Sequence, residues 1–168
     1  MAPGSARAAD AGGGAMKALT LTQPWAALVA LGEKRYETRS WSTPYRGPLA
    51  IHAAKGFPAW ARDTMLEEPF REALVRHYGA GGPPPWIMER LDAQRGHVIA
   101  TCRLTDCVRM TERMLGELRA GFLIERAEHE LEFGDWSEGR YAWRLENVRL
   151  LAAPVPARGA LGLWEWAA

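Results

Sequence analysis

The sequence predicts an α+β fold, a small mixed β-barrel of about six strands with three or four short peripheral helices. Two observations carry this. Strand-like apolar runs sit at both ends of the chain and in its middle, which favours a closed mixed sheet over a doubly wound one. The helical patterns between them are short and separated by Gly and Pro. The chain also lacks GxGxxG, P-loop, GxSxG and HExxH motifs, so nothing supports a nucleoside-triphosphate or metallohydrolase reading. At 168 residues it has the size of one domain with one substantial core.

Residues 1–15 are mostly Ala, Gly, Pro and Ser without an apolar h-region, so the expectation is a disordered extension and not a signal peptide. A single domain is then expected over 16–168, with Met16 at its start. Net charge is only +1, so any nucleic-acid contact must come from a local patch. Cys102 and Cys107 have no CxxC partner and no His at ligand spacing. They read as reduced thiols of a cytoplasmic protein, with no metal and no cofactor expected. No stretch approaches the ~20 apolar residues of a membrane span.

In order, Ala18 to Thr22 alternates as a first strand. Pro24 opens a helix on which Trp25, Leu28 and Val29 share a face, and Gly32 stops it. Arg35 to Trp41 suits a strand with Arg35, Glu37, Arg39 and Trp41 on one face and Tyr36, Thr38 and Ser40 on the other. Pro48 to Ala53 reads as a buried strand after a turn at Arg46-Gly47. Phe70, Leu74 and Tyr78 mark a helix. The breaker run 79–85 is an expected exposed loop or flap, and a short helix with Trp86, Arg90 and Leu91 ends at Gly96. His97 to Val108 is a core strand, and Thr111 caps a helix to Arg119. A turn-rich loop covers 133–139. Arg140 to Leu151 reads as a long strand or a pair of strands that Pro154 and Pro156 should break, and 161–166 closes as a last strand.

The chain centres on Gly32-Glu33-Lys34-Arg35-Tyr36-Glu37-Thr38-Arg39. With 18 Arg and three Lys, Arg serves wherever a plain charge suffices, which draws attention to Lys34. It is expected at the helix-to-strand junction, pointing into a neighbouring cleft. Between Thr38 and Arg62 there is no acid, while Arg39, Arg46, Lys55 and Arg62 fall there with His52, Trp41, Tyr45, Phe57 and Trp60. Such a basic and aromatic segment suits phosphate backbones and stacked bases. Residues 125–138 carry six acids against one Arg, on a separate part of the chain.

Leu21-Thr22-Gln23-Pro24-Trp25-Ala26, Gly32-x-Lys34-x-x-Glu37-x-Arg39-Ser40-Trp41 and Tyr45-Arg46-Gly47-Pro48-Leu49-x-Ile51-His52-Ala53 resemble the ASCH (activating signal cointegrator homology) domain family. So do 96–100, Phe133-Gly134-Asp135-Trp136, Tyr141-Ala142-Trp143 and Gly162-Leu163-Trp164, and the resemblance spans roughly 17–166. It implies a PUA-like β-barrel with a cleft beside the first helix, and an association with RNA. Some small members resemble amidohydrolases that deacetylate N4-acetylcytidine through a lysine, a threonine and a glutamate, and one is described as a ribonuclease. Lys34 matches the motif lysine, but Glu37 stands where those amidohydrolases carry threonine, and Thr38 should face the wrong way.

Three readings follow. In the first, the domain binds single-stranded RNA or a modified nucleoside in a cleft lined by the GxKxxExR motif. Gln23, Trp25, Tyr45, Arg46, His52, Lys55, Ser137 and Trp143 are the candidate ligand-binding residues. In the second, Lys34, Glu37 and Arg39 form the catalytic set of a metal-independent hydrolase of RNA or nucleoside. In the third, the same three residues are a structural ion network in a module that takes a protein partner.

Overall fold

The computed structural model describes residues 15–79, 85–120 and 127–167. Residues 1–14 of the expected N-terminal extension and 80–84 of the 79–85 run therefore lie outside the described residues. The strands in chain order are β1 (Met16–Leu21), β2 (Tyr36–Arg39), β3 (Gly47–Ala53), β4 (His97–Arg109), β5 (Tyr141–Pro156) and β6 (Leu163–Trp166). The helices are α1 (Trp25–Ala30), α2 (Ala59–Thr64), α3 (Phe70–Tyr78), α4 (Pro85–Gln94), α5 (Glu112–Arg119) and α6 (Ala127–Glu132). The described helices outnumber the three or four expected. No helix among the described residues is long and apolar enough to cross a membrane.

One six-stranded mixed sheet runs in the order β2-β5-β4-β3-β1-β6. The expected barrel is therefore an open sheet. β2 pairs only with Tyr141–Arg144 and β6 only with β1, so four-residue strands form its two edges. β1 and β3 are parallel, with Thr20 opposite His52, and all other pairings are antiparallel. A parallel pair needs a crossover, which α1 and β2 supply. That crossover carries the whole central motif across one end of the sheet.

α1 lies between two apolar layers. Val29 and Ala26 meet Leu19, Leu49, Ile51, Leu104 and Trp143 of the sheet. Leu28 and Ala27 meet Phe57, Met65, Phe70, Leu74, Leu91 and Phe133. Leu28 and Val29 therefore face different cores and do not share one face as expected. A helix apolar all round is buried all round, and Ala26 to Ala30 are all buried.

Two strand limits also differ. β2 stops at Arg39, because Trp41 leaves the strand and packs edge-on against Trp143 at 4.6 Å. β5 continues through Pro154 to Pro156. β2 covers β5 only as far as Arg144, so both prolines lie on a flank with no neighbouring strand. Their segment also follows an irregularity opposite Val98 and Ala100. Proline is tolerated at such edges and bulges, where its missing N–H breaks no ladder.

Candidate functional site

Gly32, at φ 77°, ends α1 in the left-handed conformation and releases the chain toward β2. Glu33 turns to α3, where its carboxylate takes Arg76 Nη1 at 2.9 Å and lies 2.7 Å from His77 Nε2. Burial works to raise its pKa, but these hydrogen bonds and charges hold it below the ordinary carboxylate value.

Lys34 turns the other way and is fully buried. Its Nζ donates to the Tyr36 carbonyl and lies 3.7 Å from Glu37 Oε2. Behind it is Glu130 of α6, also buried, whose carboxylate accepts from the Arg35 amide at 2.5 Å and the Tyr36 amide at 3.4 Å. Burial raises the Glu130 pKa, and the Lys34 charge with the two amides pulls it back. The expectation that Lys34 points into a cleft is thus corrected. A desolvated ammonium needs opposite charge and acceptors, and these lie inward. Glu37 occupies the cleft-facing position instead. Arg39 Nε stands 3.0 Å from Glu37 Oε1 without hydrogen-bond alignment, and its Nη2 donates to the Thr20 carbonyl at 3.2 Å. The motif therefore forms a row from Lys34 inside, through Glu37, to Arg39 outside.

Glu37, Thr38 and Arg39 form one wall of a cleft of about 540 Å³. The opposite wall is aromatic. Trp25 meets Trp60 at 5.7 Å and Phe70 edge-on at 5.6 Å between ring centroids, and its Nε1 donates to the Phe133 carbonyl at 2.9 Å. Trp60 is 60% exposed, which leaves an indole face to solvent at the rim. Thr38 does border this cleft, against expectation. β2 is an edge strand, and the 133–135 loop folds over it, with the Asp135 amide donating to Thr38 Oγ1 at 3.1 Å. Gly134 permits that approach, since a Cβ there would lie 3.0 Å from Thr38 Oγ1 and 3.1 Å from Trp136 Nε1. Among the described residues the charged lining is Glu37, Glu67, Glu132 and Asp135 against one cation, Arg39. Hydrogen bonds from Ser137 hold the Asp135 carboxyl below its ordinary pKa.

A second cleft of about 800 Å³ adjoins the first at Thr20, which lines both. Among the described residues its charged lining is Lys55, Arg95 and Arg158, with no carboxylate. His52 is buried at its base, donating from Nε2 to the Ala157 carbonyl at 3.0 Å in the tautomer that contact requires. Desolvation pushes the His52 pKa down, which disfavours the charged ring, and among the described residues its Nδ1 has no hydrogen-bond partner. Gly159 closes over that ring edge, and a Cβ there would come within 2.8 Å of both Nδ1 and Thr20 Oγ1.

The structure divides the residues singled out from the sequence. Trp25, Glu37 and Arg39 meet at the motif cleft, and His52 and Lys55 at the second. Gln23 is fully buried. It caps α1 by accepting from the Ala27 amide at 3.0 Å, and it donates to Gln94 at 2.9 Å. Trp143 is fully buried in the sheet core with its indole N–H unpartnered, so no base reaches it there. Tyr45 and Arg46 line neither cleft. The Tyr45 hydroxyl donates to the Pro48 carbonyl, and Arg46 holds the Thr43 and Tyr45 carbonyls and pairs with Asp106 at 3.5 Å. Ser137 lines neither cleft and reaches the first only through its bonds to Asp135. Trp60, Thr20, Asp135, Arg95 and Arg158 were not singled out. Asp135 lay in the Phe-Gly-Asp-Trp signature and Trp60 in the acid-free segment, whereas Arg95 and Arg158 carried no signal.

A sequence model of the ASCH domain matches residues 19–153. This chain belongs to the ASCH domain family. It is 43% identical over 150 residues to activating signal cointegrator 1 of Mus musculus, covering 88% of this chain and 22% of that protein. It is likewise 43% identical over 53 residues to activating signal cointegrator 1 of Homo sapiens, covering 32% of this chain and 9% of that protein. The chain thus spans less than a quarter of the length of either curated relative. Among solved structures, the ASCH protein of Zymomonas mobilis is similar at 16% identity and a TM-score of 0.43, over 83% of this chain and 72% of that one.

Proposed function

We propose that this ASCH domain binds single-stranded RNA, or a modified nucleoside within it, by taking a base and its sugar into the motif cleft. The observation that supports this most is the pairing of an aromatic wall with a hydrogen-bonding one. Trp25, Trp60 and Phe70 face Glu37, Thr38 and Arg39 across about 540 Å³, within the range of small-ligand sites. The open face of Trp60 stacks the base, and the carboxylates accept from its N–H edge. Those carboxylates repel phosphate, so base and sugar belong here and the backbone does not.

The test is titration of tryptophan fluorescence with nucleosides and a short mixed-sequence RNA. One lost stack is worth ~1–3 kcal/mol, so Trp60→Ala should weaken binding about 5- to 150-fold. Equal affinity in the parent and the variant sinks this reading.

Glu37 supports a second reading. It is a carboxylate facing the cleft with Lys34 at 3.7 Å and Arg39 at 3.0 Å. In a metal-independent hydrolase, Glu37 is the general base, Arg39 steadies the developing negative charge, and buried Lys34 positions Glu37. Incubation with N4-acetylcytidine and with short RNA, followed by mass spectrometry, should then give product that Glu37→Gln abolishes. Absence of product from both substrates rejects it.

A further inference from the structure

We propose that the second cleft is a phosphate subsite for the nucleotide next to the one held in the motif cleft, so that the ligand is a strand and not a free nucleoside. This rests on the RNA reading above. Three observations carry it. The first is charge. Among the described residues, the motif cleft has four carboxylates and one cation, whereas its neighbour has Lys55, Arg95 and Arg158 with no carboxylate. A nucleotide has the same division, a donor-bearing base beside an anionic backbone.

The second is the state of those cations. Among the described residues, the side chains of Lys55 and Arg158 are exposed and make no ion pair or hydrogen bond. Arg95 is fixed, donating from Nε to the Lys55 carbonyl at 2.8 Å and from Nη1 to Asp92 at 2.6 Å. Free cations grouped around a concavity attract phosphate, and a fixed guanidinium beside them sets its place. His52 is not counted among these cations: burial disfavours its charged form, and its Nε2 is taken by the Ala157 carbonyl.

The third is continuity. The parallel pairing of β1 with β3 sets Thr20 opposite His52, and Thr20 is the wall common to both clefts. Its carbonyl is held by Arg39 from one side and its hydroxyl by Trp164 Nε1 at 3.1 Å. A strand leaving the motif cleft past Thr20 enters the cationic one directly.

The test compares a mixed-sequence RNA hexamer, the corresponding free nucleosides and inorganic phosphate. Each is titrated against the parent protein, the Lys55→Gln/Arg158→Gln double variant and Trp60→Ala, between 50 and 200 mM salt. Each single-strand phosphate contact contributes about −0.7 to the slope of log K against log salt. Loss of two cations should flatten the hexamer slope by about 1.4. Over the fourfold salt rise the parent then loses about 7-fold more affinity than the double variant. Nucleoside affinity should not change in that variant. If its melting temperature falls, the single variants serve, each flattening the slope by about half as much.

Parent-like hexamer affinity and slope in the double variant, with weakened binding in Trp60→Ala, would overturn the subsite and leave the nucleoside reading standing. Inorganic phosphate binding the parent as tightly as the hexamer does would also overturn it, in favour of a free-anion site. Hexamer and nucleoside binding unaffected by Trp60→Ala would instead remove the reading beneath.

Discussion

Replacing Lys34 by Met removes the buried ammonium and keeps most of the volume, so it isolates the charge. Lys34 is fully buried, 3.7 Å from Glu37, bonded to the Tyr36 carbonyl and set against Glu130. Breaking a buried ion pair from one side costs about 3–5 kcal/mol, because the remaining charge stays desolvated. With a urea m-value of about 2 kcal/mol/M, the midpoint should fall by roughly 2 M at pH 8. The penalty must also depend on pH. Burial raises the Glu130 pKa above the unfolded value of ~4.3, so the native state holds that proton more tightly. Stability therefore falls as pH rises from the unfolded value through the folded one. Lys34 limits that fall by lowering the Glu130 pKa. In Lys34→Met the limit is gone, and the loss should be larger at pH 8 than at pH 5, because the proton that Glu130 takes up as pH falls offsets the missing counter-charge. Equilibrium urea unfolding at both pH values gives the answer. A loss under about 1 kcal/mol at pH 8, or the same loss at both, would refute Lys34 as an internal counter-charge.

Four further outcomes are expected. The Glu33 pKa is depressed, so its contribution is present above the unfolded value of ~4.3 and lost as pH falls through the folded one. Glu33→Gln should be about 1 kcal/mol less stable than the parent at pH 7, with the two converging toward pH 3 in acid unfolding curves. Gly159→Ala drives a methyl group into His52 and Thr20 and should cost about 1–3 kcal/mol by thermal melting, while Gly56→Ala, which meets nothing within 4 Å, should cost little. Trp143→Phe should lower stability and leave RNA affinity within about twofold, the reverse of Trp60→Ala, because only Trp60 offers a face to solvent. Burial pushes the Cys102 thiol up to about 12, so a thiol reagent at pH 8 should titrate one cysteine in the native state, Cys107, and both after unfolding.

Central strands were the most legible elements. β3 and β4 pair with each other and with neighbours on both flanks, and their apolar runs report that burial directly. The edge strands were less legible. β2 ends where Trp41 turns to pack on Trp143, and β5 runs through two prolines because β2 does not reach them. Neither limit is visible without the neighbouring strand. The direction of Lys34 depends on Glu130, which α6 brings in from far along the chain, so a local strand pattern could not orient it. The acid-free segment appeared as one basic and aromatic run, but β3 passes through it and distributes it. Arg39 and Trp60 go to one cleft, His52 and Lys55 to the other, and Tyr45 and Arg46 to neither. The acidic run 125–138 looked separate in sequence, yet Glu132 and Asp135 line the motif cleft together with Arg39.

The central claim is that a single strand of RNA lies with a base in the Trp25–Trp60 cleft and its backbone passing Thr20. Photo-crosslinking of the intact protein to a 4-thiouridine-containing RNA hexamer, with the joined peptides sequenced by mass spectrometry, tests it most directly. The account predicts crosslinks within segments 20–25 and 57–64, lost in competition with unlabelled hexamer. Competable crosslinks confined to the Tyr45–Arg46 loop, or to β5 beyond Arg144, would contradict it.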